Sequence, residues 1–248
     1  GGLGDDVISG GANADTISGN DGNDTITTGT GSNSVDGGAG NDAITGGAGN
    51  DTVLGGDGND TINVAAGANS ADGGAGNDTI SSTGTGDTLS GGAGDDNLSN
   101  TTGAAVYDGG AGNDSITAGS GADTITGGLG ADTIVSGGGA DKFIFGALSS
   151  VDGAVDSISG FVAGSATISS GVAATAANFL NTSVDATYAL ALADGTALIG
   201  NGGHDIVAIT VGSDSYVFID NANNNTVGLV IKLTGVAASA LGTANFTI

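Results

Sequence analysis

Aspartate recurs at nine-residue intervals through the first 144 residues, at the sixth position of a glycine-rich nonapeptide. Sixteen units follow one another without an insertion, and the best read Gly-Gly-Ala-Gly-Asn-Asp-Thr-Ile-Ser, as at 73–81. The sixth position is aspartate in thirteen units: Asp6, Asp15, Asp24, Asp42, Asp51, Asp60, Asp78, Asp87, Asp96, Asp114, Asp123, Asp132 and Asp141. A row of oxygen ligands without nitrogen or sulfur suits a hard cation with six to eight oxygens, which indicates calcium.

Each nonapeptide divides into a turn and a strand. Positions one to five are rich in glycine, which suits tight turns and close approach of backbones. Positions six to nine form a short strand, in which successive side chains point to opposite faces. The apolar eighth residue, such as Ile26 or Ile62, therefore points inward. Two units close one coil, and coils stack at about 4.8 Å. We therefore predict an all-β protein: a parallel β-roll solenoid of about eight 18-residue coils over residues 1–144, followed by a C-terminal β-rich cap.

The three exceptions at position six are Asn33, Asn69 and Ala105, in units four, eight and twelve. Odd-numbered units place their turns on one side of the roll, here called the odd flank, and even-numbered units on the other, the even flank. The odd flank keeps aspartate in all eight units, whereas the even flank loses it in every second coil. We expect a continuous calcium row on the odd flank, a sparse or weak row on the even flank, and fewer than fourteen ions.

Residues 145–248 have a different composition, with few glycines and aspartates and many β-branched residues. We predict strands at 143–145, 188–192, 206–211, 216–219 and 227–233. A solenoid end exposes unpaired strand edges, so this second domain is expected to cap the roll. Its aromatic residues would supply the core of that cap.

The composition excludes several function classes. All 27 acidic residues are aspartate, the only basic side chains are two lysines and one histidine, and the net charge is −25, which opposes nucleic-acid binding. No apolar run approaches the roughly 18 residues of a transmembrane segment. His204 is the only histidine and there is no cysteine, so we expect no catalytic site and no enzyme. Because the chain begins with glycine and has no leader pattern, we expect a fragment or a protein exported by another route.

The nonapeptide resembles the calcium-binding repeat of the RTX (repeats-in-toxin) family across residues 1–144. The resemblance implies a β-roll with calcium between successive turns, the thirteen aspartates as ligands, and Asn33, Asn69 and Ala105 as weak or degenerate positions. It also implies export through a type I secretion apparatus with an uncleaved signal near the C-terminus. Residues 216–236 are similar to the ends of type I-secreted surface-layer proteins.

Three functions remain open. The first is a calcium-dependent, self-assembling region of a secreted bacterial cell-surface protein, in an S-layer or a matrix. The second is the C-terminal calcium-folded secretion module of an RTX enzyme or toxin whose active domain lies upstream. The third is an adhesin or ice-binding solenoid, since outward pairs such as Thr25 and Thr27 form flat arrays. In each case the carboxylates would repel one another until extracellular calcium neutralises them and the chain folds.

Overall fold

The computed structural model describes residues 1–145, 155–161, 166–169, 179–185, 206–211, 213–219, 229–237, 240–241 and 245–247. These residues form strands and turns and contain no α-helix. None of the described segments is a helix long and apolar enough to cross a membrane. The chain divides into two compact units, residues 1–123 and residues 124–248. The division expected from composition, 1–144 and 145–248, stays a prediction.

The first unit is a parallel β-solenoid whose strands alternate between two sheets. Its strands are β1 (Gly2–Leu3), β2 (Val7–Ala12), β3 (Thr16–Asp21), β4 (Thr25–Thr30), β5 (Ser34–Ala39), β6 (Ala43–Thr45), β7 (Thr52–Asp57), β8 (Thr61–Asn63), β9 (Ser70–Ala75), β10 (Thr79–Ser82), β11 (Asp87–Ala93), β12 (Asn97–Asn100), β13 (Ala105–Ala111) and β14 (Ser115–Thr117). The odd-numbered strands form the first sheet and the even-numbered strands the second, each in sequential order. The predicted fold class is confirmed: the repeats build a parallel β-solenoid of about eight coils with a spacing of 18 residues.

The register follows the nonapeptide period. In the second sheet Ile26 pairs with Ile44, Ile44 with Ile62, and Ile62 with Ile80. These isoleucines are at most 2 % exposed, while the residues on either side face outward. One apolar side chain per strand therefore makes a thin core, which must be supported by the hydrogen bonds and charges of the turns.

The second unit begins with the same pattern and then changes topology. Its strands are β15 (Thr124–Leu129), β16 (Thr133–Val135), β17 (Lys142–Ile144), β18 (Asp156–Ser159), β19 (Thr167–Ser169), β20 (Phe179–Asp185), β21 (Ile206–Val211), β22 (Asp214–Ile219), β23 (Leu229–Thr234) and β24 (Phe246–Thr247). One sheet runs β15-β17-β19-β24, and the other β16-β18-β23-β22-β21-β20. β21, β22 and β23 pair antiparallel, unlike the repeats.

The strand predictions for the tail agree with the structure where it describes the chain. Strands occur at Lys142–Ile144, Ile206–Val211, Asp214–Ile219 and Leu229–Thr234. The predicted strand at 188–192 lies outside the described residues, as does His204. Phe143 and Phe161 are buried, and their rings pack at a tilt of 37° with centroids 5.7 Å apart, which gives the second unit an aromatic core.

Candidate calcium sites

The turns of the odd flank are joined by a ladder of carboxylates. In each turn the sixth residue donates its backbone N–H to Oδ1 of the aspartate 18 residues later, at 2.7–2.8 Å. The donor–acceptor pairs are Asp6–Asp24, Asp24–Asp42, Asp42–Asp60, Asp60–Asp78, Asp78–Asp96 and Asp96–Asp114. One oxygen of each accepting carboxylate is thus used to hold the preceding coil.

The second oxygen of these carboxylates has a different environment. Oδ2 is buried and accepts no hydrogen bond in Asp24, Asp42, Asp60, Asp78 and Asp96, and these residues are only 1–2 % exposed. A buried ionised oxygen without a donor is strongly unfavourable unless a cation or a proton neutralises it. The row therefore presents a series of oxygens that fit a bound cation.

The first glycine of each odd turn explains how the space beside Oδ2 is kept open. A Cβ on Gly73 would collide with Oδ2 of Asp78 and with the carbonyl oxygen of Gly91 in the next coil. The same arrangement of a carboxylate oxygen and a carbonyl oxygen recurs at Gly19, Gly37, Gly55 and Gly91. Position one must be glycine here because any side chain would fill the space between the two oxygens.

Backbone carbonyls would have to complete the coordination of an ion. Among the described residues, no three carboxylate, histidine or cysteine side chains converge to hold a metal. Calcium accepts backbone carbonyl oxygens together with carboxylates, and the odd flank offers both. The donor set therefore fits calcium better than zinc, whose protein sites usually include nitrogen or sulfur ligands that these turns lack.

Burial changes the proton affinity of the row. It raises the pKa of Asp60 to about 6, against the opposing effect of the Asp42 N–H, and Asp78 and Asp42 add repulsion. The pKa of Asp96 is also raised to about 6, first by burial and then by neighbouring aspartates. The pKa values of Asp42 and Asp78 are raised for the same first reason. These shifts mark carboxylates whose charge is destabilised in the absence of a counter-ion.

A second ladder lies on the odd flank beside the carboxylates. The side chain at position five accepts the N–H of the residue 18 positions later, at 2.7–3.0 Å. The acceptors are Asp5, Asn23, Asn41, Asn59, Asn77 and Asp95. It runs opposite to the position-six ladder, in which the later residue accepts. Sequence reasoning did not find this ladder, although the recurrence of asparagine before aspartate was visible.

Most turns of the even flank fill the space that glycine keeps open on the odd flank. Its position-one residues are mostly not glycine, and six of them are buried: Thr28, Val64, Ser82, Asn100, Ala118 and Ser136. The side chain of Ser136 donates to Oδ2 of Asp141. In these six turns a side chain stands where the odd flank has glycine, whereas Gly10 and Gly46 keep the odd-flank arrangement beside Asp15 and Asp51.

Asp87 shows this replacement most completely. Its Oδ2 accepts hydrogen bonds from Ser82 Oγ at 2.6 Å and from Asn100 Nδ2 at 2.9 Å. Its Oδ1 accepts from the backbone N–H of Asn69 at 2.8 Å and from Asn69 Nδ2 at 3.2 Å. Both oxygens of this fully buried carboxylate are therefore satisfied by three successive coils of the protein itself.

The exceptions at position six keep their place in the structure. Asn33 and Asn69 are buried, and the Nδ2 of Asn33 donates to Gly31 O and to Oδ1 of Asp51, both at 2.9 Å. An amide donates where a carboxylate could only accept, so Asn33 and Asn69 add side-chain hydrogen bonds to the next coil. Ala105 offers no ligand, but its backbone N–H still donates to Oδ1 of Asp123 at 2.8 Å.

The predicted ligands thus fall into groups. Asp6, Asp24, Asp42, Asp60, Asp78, Asp96 and Asp114 lie in one row of the first unit, and Asp132 holds the same turn position in the second. On the even flank Asp15 and Asp51 also have a buried Oδ2 without a hydrogen bond. Asp123 accepts the Ala105 N–H, and Asp87 and Asp141 accept from serine hydroxyls. Which of the thirteen bind metal stays a prediction.

Two solved structures are similar to the chain. The chain resembles the solution structure of the AlgE6R3 subunit of the Azotobacter vinelandii mannuronan C5-epimerase, with 23 % identity and a TM-score of 0.44, over 63 % of this chain and 80 % of that one. It also resembles the crystal structure of the extracellular lipase LipA of Serratia marcescens, with 18 % identity and a TM-score of 0.41, over 89 % of this chain. The match spans 40 % of the lipase. No curated protein matches the chain significantly.

The family assignment comes from the repeat itself. The family profile of the RTX calcium-binding nonapeptide repeat matches residues 1–35, 18–53, 27–62, 54–84, 72–104 and 108–143, which together cover more than half of the chain. The structure has the 18-residue coils and the glycine–aspartate turns that this repeat requires. The chain therefore belongs to the family of proteins with RTX calcium-binding nonapeptide repeats.

Proposed function

We propose that this chain is the calcium-folded structural region of a secreted bacterial cell-surface protein, and that it self-assembles in an S-layer or a matrix. The observation that carries the proposal is the row of buried Oδ2 atoms of Asp24, Asp42, Asp60, Asp78 and Asp96. Charges about 5 Å apart, the spacing of neighbouring strands, repel by about 3 kcal/mol near a protein surface. The odd flank is stable only when such charges are neutralised.

The same chemistry supports an extracellular location. Extracellular calcium modules bind with dissociation constants of about 10⁻⁴–10⁻³ M, so sites of this kind would be empty in the cytosol and filled outside. The chain would stay unfolded and exportable before secretion, by a type I apparatus, and would fold as its carboxylates bind calcium. A secreted, extracellular location and a non-enzymatic role fit this behaviour.

The two faces of the first unit differ in charge, which supports self-association. The outward residues of β4, β6, β8, β10, β12 and β14 are threonine, serine, asparagine or alanine, without a charge. The opposite sheet carries Asp36, Asp72 and Asp108 on its outward side. In a chain of net charge −25, copies approach with least repulsion through the uncharged second sheet.

The test is a calcium titration of the chain, with circular dichroism for β-structure and light scattering for size on one sample. Growth into sheets or filaments as the β signal rises would support the proposal. Thr61→Lys, on the second sheet, should block growth but not folding, whereas Thr52→Lys, at the equivalent place on the first sheet, should leave growth unchanged. A folded chain that stays monomeric at all calcium concentrations would contradict self-assembly.

The second candidate is a calcium-folded secretion module of an RTX enzyme or toxin. The observation that favours it is the change from parallel strands to the antiparallel set β21, β22 and β23, which gives the C-terminal part a topology of its own. Calcium-dependent folding without growth, in the titration above, would favour this candidate. The third reading, an adhesin or ice-binding solenoid, rests on the threonine arrays alone.

A further inference from the structure

Asp156 lies outside the nonapeptide repeats, yet the structure places it like a residue of the odd flank. It is fully buried at the start of β18, and its Oδ1 accepts the backbone N–H of Asp132 at 3.0 Å. The same bond joins successive position-six aspartates at 2.7–2.8 Å in the first unit. The backbone N–H of Ser157 donates to Asp132 O at 2.7 Å, and the same bond recurs in the first unit, for example from Thr79 to Asp60 O at 2.9 Å.

The strand after Asp156 also follows the repeat. Ile158 pairs with Ile134 and is fully buried, two residues after Asp156, at the place of the apolar eighth position. Ser157 and Ser159 pair with Thr133 and Val135 on the two outward positions. The step from Asp132 to Asp156 is 24 residues rather than 18, so the nonapeptide period passes over this aspartate.

The next strand ends the row. Asp156 pairs with Ile231 of β23, a buried apolar residue that offers no ligand. The neighbouring Lys232 forms an ion pair with Asp214 at 3.0 Å. The row of stacked carboxylates that includes Asp132 therefore ends at Asp156, next to the antiparallel strands.

We propose that Asp156 is a further calcium ligand, which extends the odd row of the second unit by one carboxylate beyond the last nonapeptide. This inference rests on the proposed function, because it assigns to Asp156 the role proposed for the odd-flank aspartates. The carboxylate of Asp156 would bind an ion beside the turn of Asp132, whose Oδ2 borders the open space at Gly127.

The experiment counts bound calcium per chain by equilibrium dialysis at saturating calcium, for the wild type and three variants. Asp156→Asn should bind one ion fewer than the wild type, as should Asp78→Asn in the first unit. Asp57→Asn, which removes the same charge from an exposed position, should bind the wild-type number. Circular dichroism at saturating calcium checks that each variant is folded.

The outcomes separate this inference from the proposed function. If Asp156→Asn binds as many calcium ions as the wild type while Asp78→Asn binds one fewer, Asp156 is not a calcium ligand. The proposed role of the other odd-flank aspartates is then still supported. If the wild type binds no calcium, the proposed function itself fails. Should Asp156→Asn not fold, the anomalous signal of calcium in wild-type crystals decides: a peak within bonding distance of the Asp156 carboxylate supports the inference, and its absence overturns it.

Discussion

The hydroxyl of Ser82 donates a hydrogen bond to Oδ2 of Asp87 at 2.6 Å, inside one turn of the even flank. Ser82 stands at position one, where the odd turns have glycine, and its side chain lies where they leave open space. With the amide of Asn100 at 2.9 Å, it satisfies the oxygen that remains without a donor in Asp78. The two flanks of one solenoid thus satisfy the same carboxylate by different means.

Removal of the Ser82 hydroxyl should destabilise the calcium-loaded protein. A hydrogen bond to a charged group contributes about 1.5–3 kcal/mol, so Ser82→Ala should lower the free energy of unfolding by about that amount. The measurement is urea denaturation at saturating calcium. Ser81→Ala is the matched control, because the Ser81 hydroxyl makes only a long 3.4 Å contact to Ile62 O. Equal effects of the two substitutions would contradict the role of Ser82.

The two flanks should also differ in their response to loss of one carboxylate. Asp78→Asn should remove one bound calcium and raise the calcium concentration at half-folding, because its Oδ2 lacks a hydrogen-bond donor. Asp87→Asn makes the same change in charge at the same repeat position, but its oxygens are already satisfied, so the number of ions should not change. Equilibrium dialysis measures both. Loss of an ion from both variants would contradict the difference between the flanks.

The open space at position one should be essential to the odd flank. Gly73→Ala places a methyl group against Oδ2 of Asp78 and the carbonyl of Gly91. Overpacking of this kind costs about 1–3 kcal/mol, and calcium affinity should fall with it. Gly138→Ala is the control, since its Cβ would meet nothing within 4 Å. Thermal unfolding at a fixed calcium concentration compares them, and a Gly73 variant as stable as the Gly138 variant would refute the steric argument.

The raised pKa values predict opposite effects of acid with and without calcium. In the folded chain burial raises the pKa of Asp60 and of Asp96 to about 6, above the usual range of an aspartate. The folded state therefore binds more protons than the unfolded state between about pH 4 and 6, so in excess chelator its stability should rise as pH falls through this window. With calcium present, protons compete for the same carboxylates, and affinity should fall below about pH 6.

Circular dichroism at several pH values, in chelator and in calcium, measures both effects. Control titrations use Asp60→Asn, which removes one of the two groups and should weaken the pH dependence. A folded fraction in chelator that does not change between pH 7 and pH 4 would contradict the assignment of these pKa shifts to burial of the row.

The period of nine residues was sufficient to predict the repeat architecture. It places the eighth residue of each unit, such as Ile62, inward and the sixth residue, such as Asp60, in the turn. This works because one strand and one turn fill one unit. It also separates the two flanks, since Asn33 and Asn69 fall only in even units. These features depend on the alternation of side chains along a strand and on the stacking of equivalent coils. Both produce a regular spacing of residue types in the sequence.

Contacts that depart from the period could not be predicted in the same way. Asn100 reaches Asp87 across 13 residues, from a turn that has lost the glycines of positions one and two, and nothing in the spacing marks the pair. Asp156 follows a 24-residue step, so a search at nine-residue intervals does not find it. The opposite directions of the position-five and position-six ladders also depend on side-chain geometry rather than on residue type.

The central claim is that calcium binding to the odd-flank carboxylates drives folding. The most direct measurement is the far-UV circular dichroism of the wild-type chain at pH 7, first in excess chelator and then after addition of millimolar calcium. We expect an unfolded spectrum in chelator and a β spectrum in calcium, with reversal when chelator is restored. The same β spectrum in chelator and in calcium would contradict it.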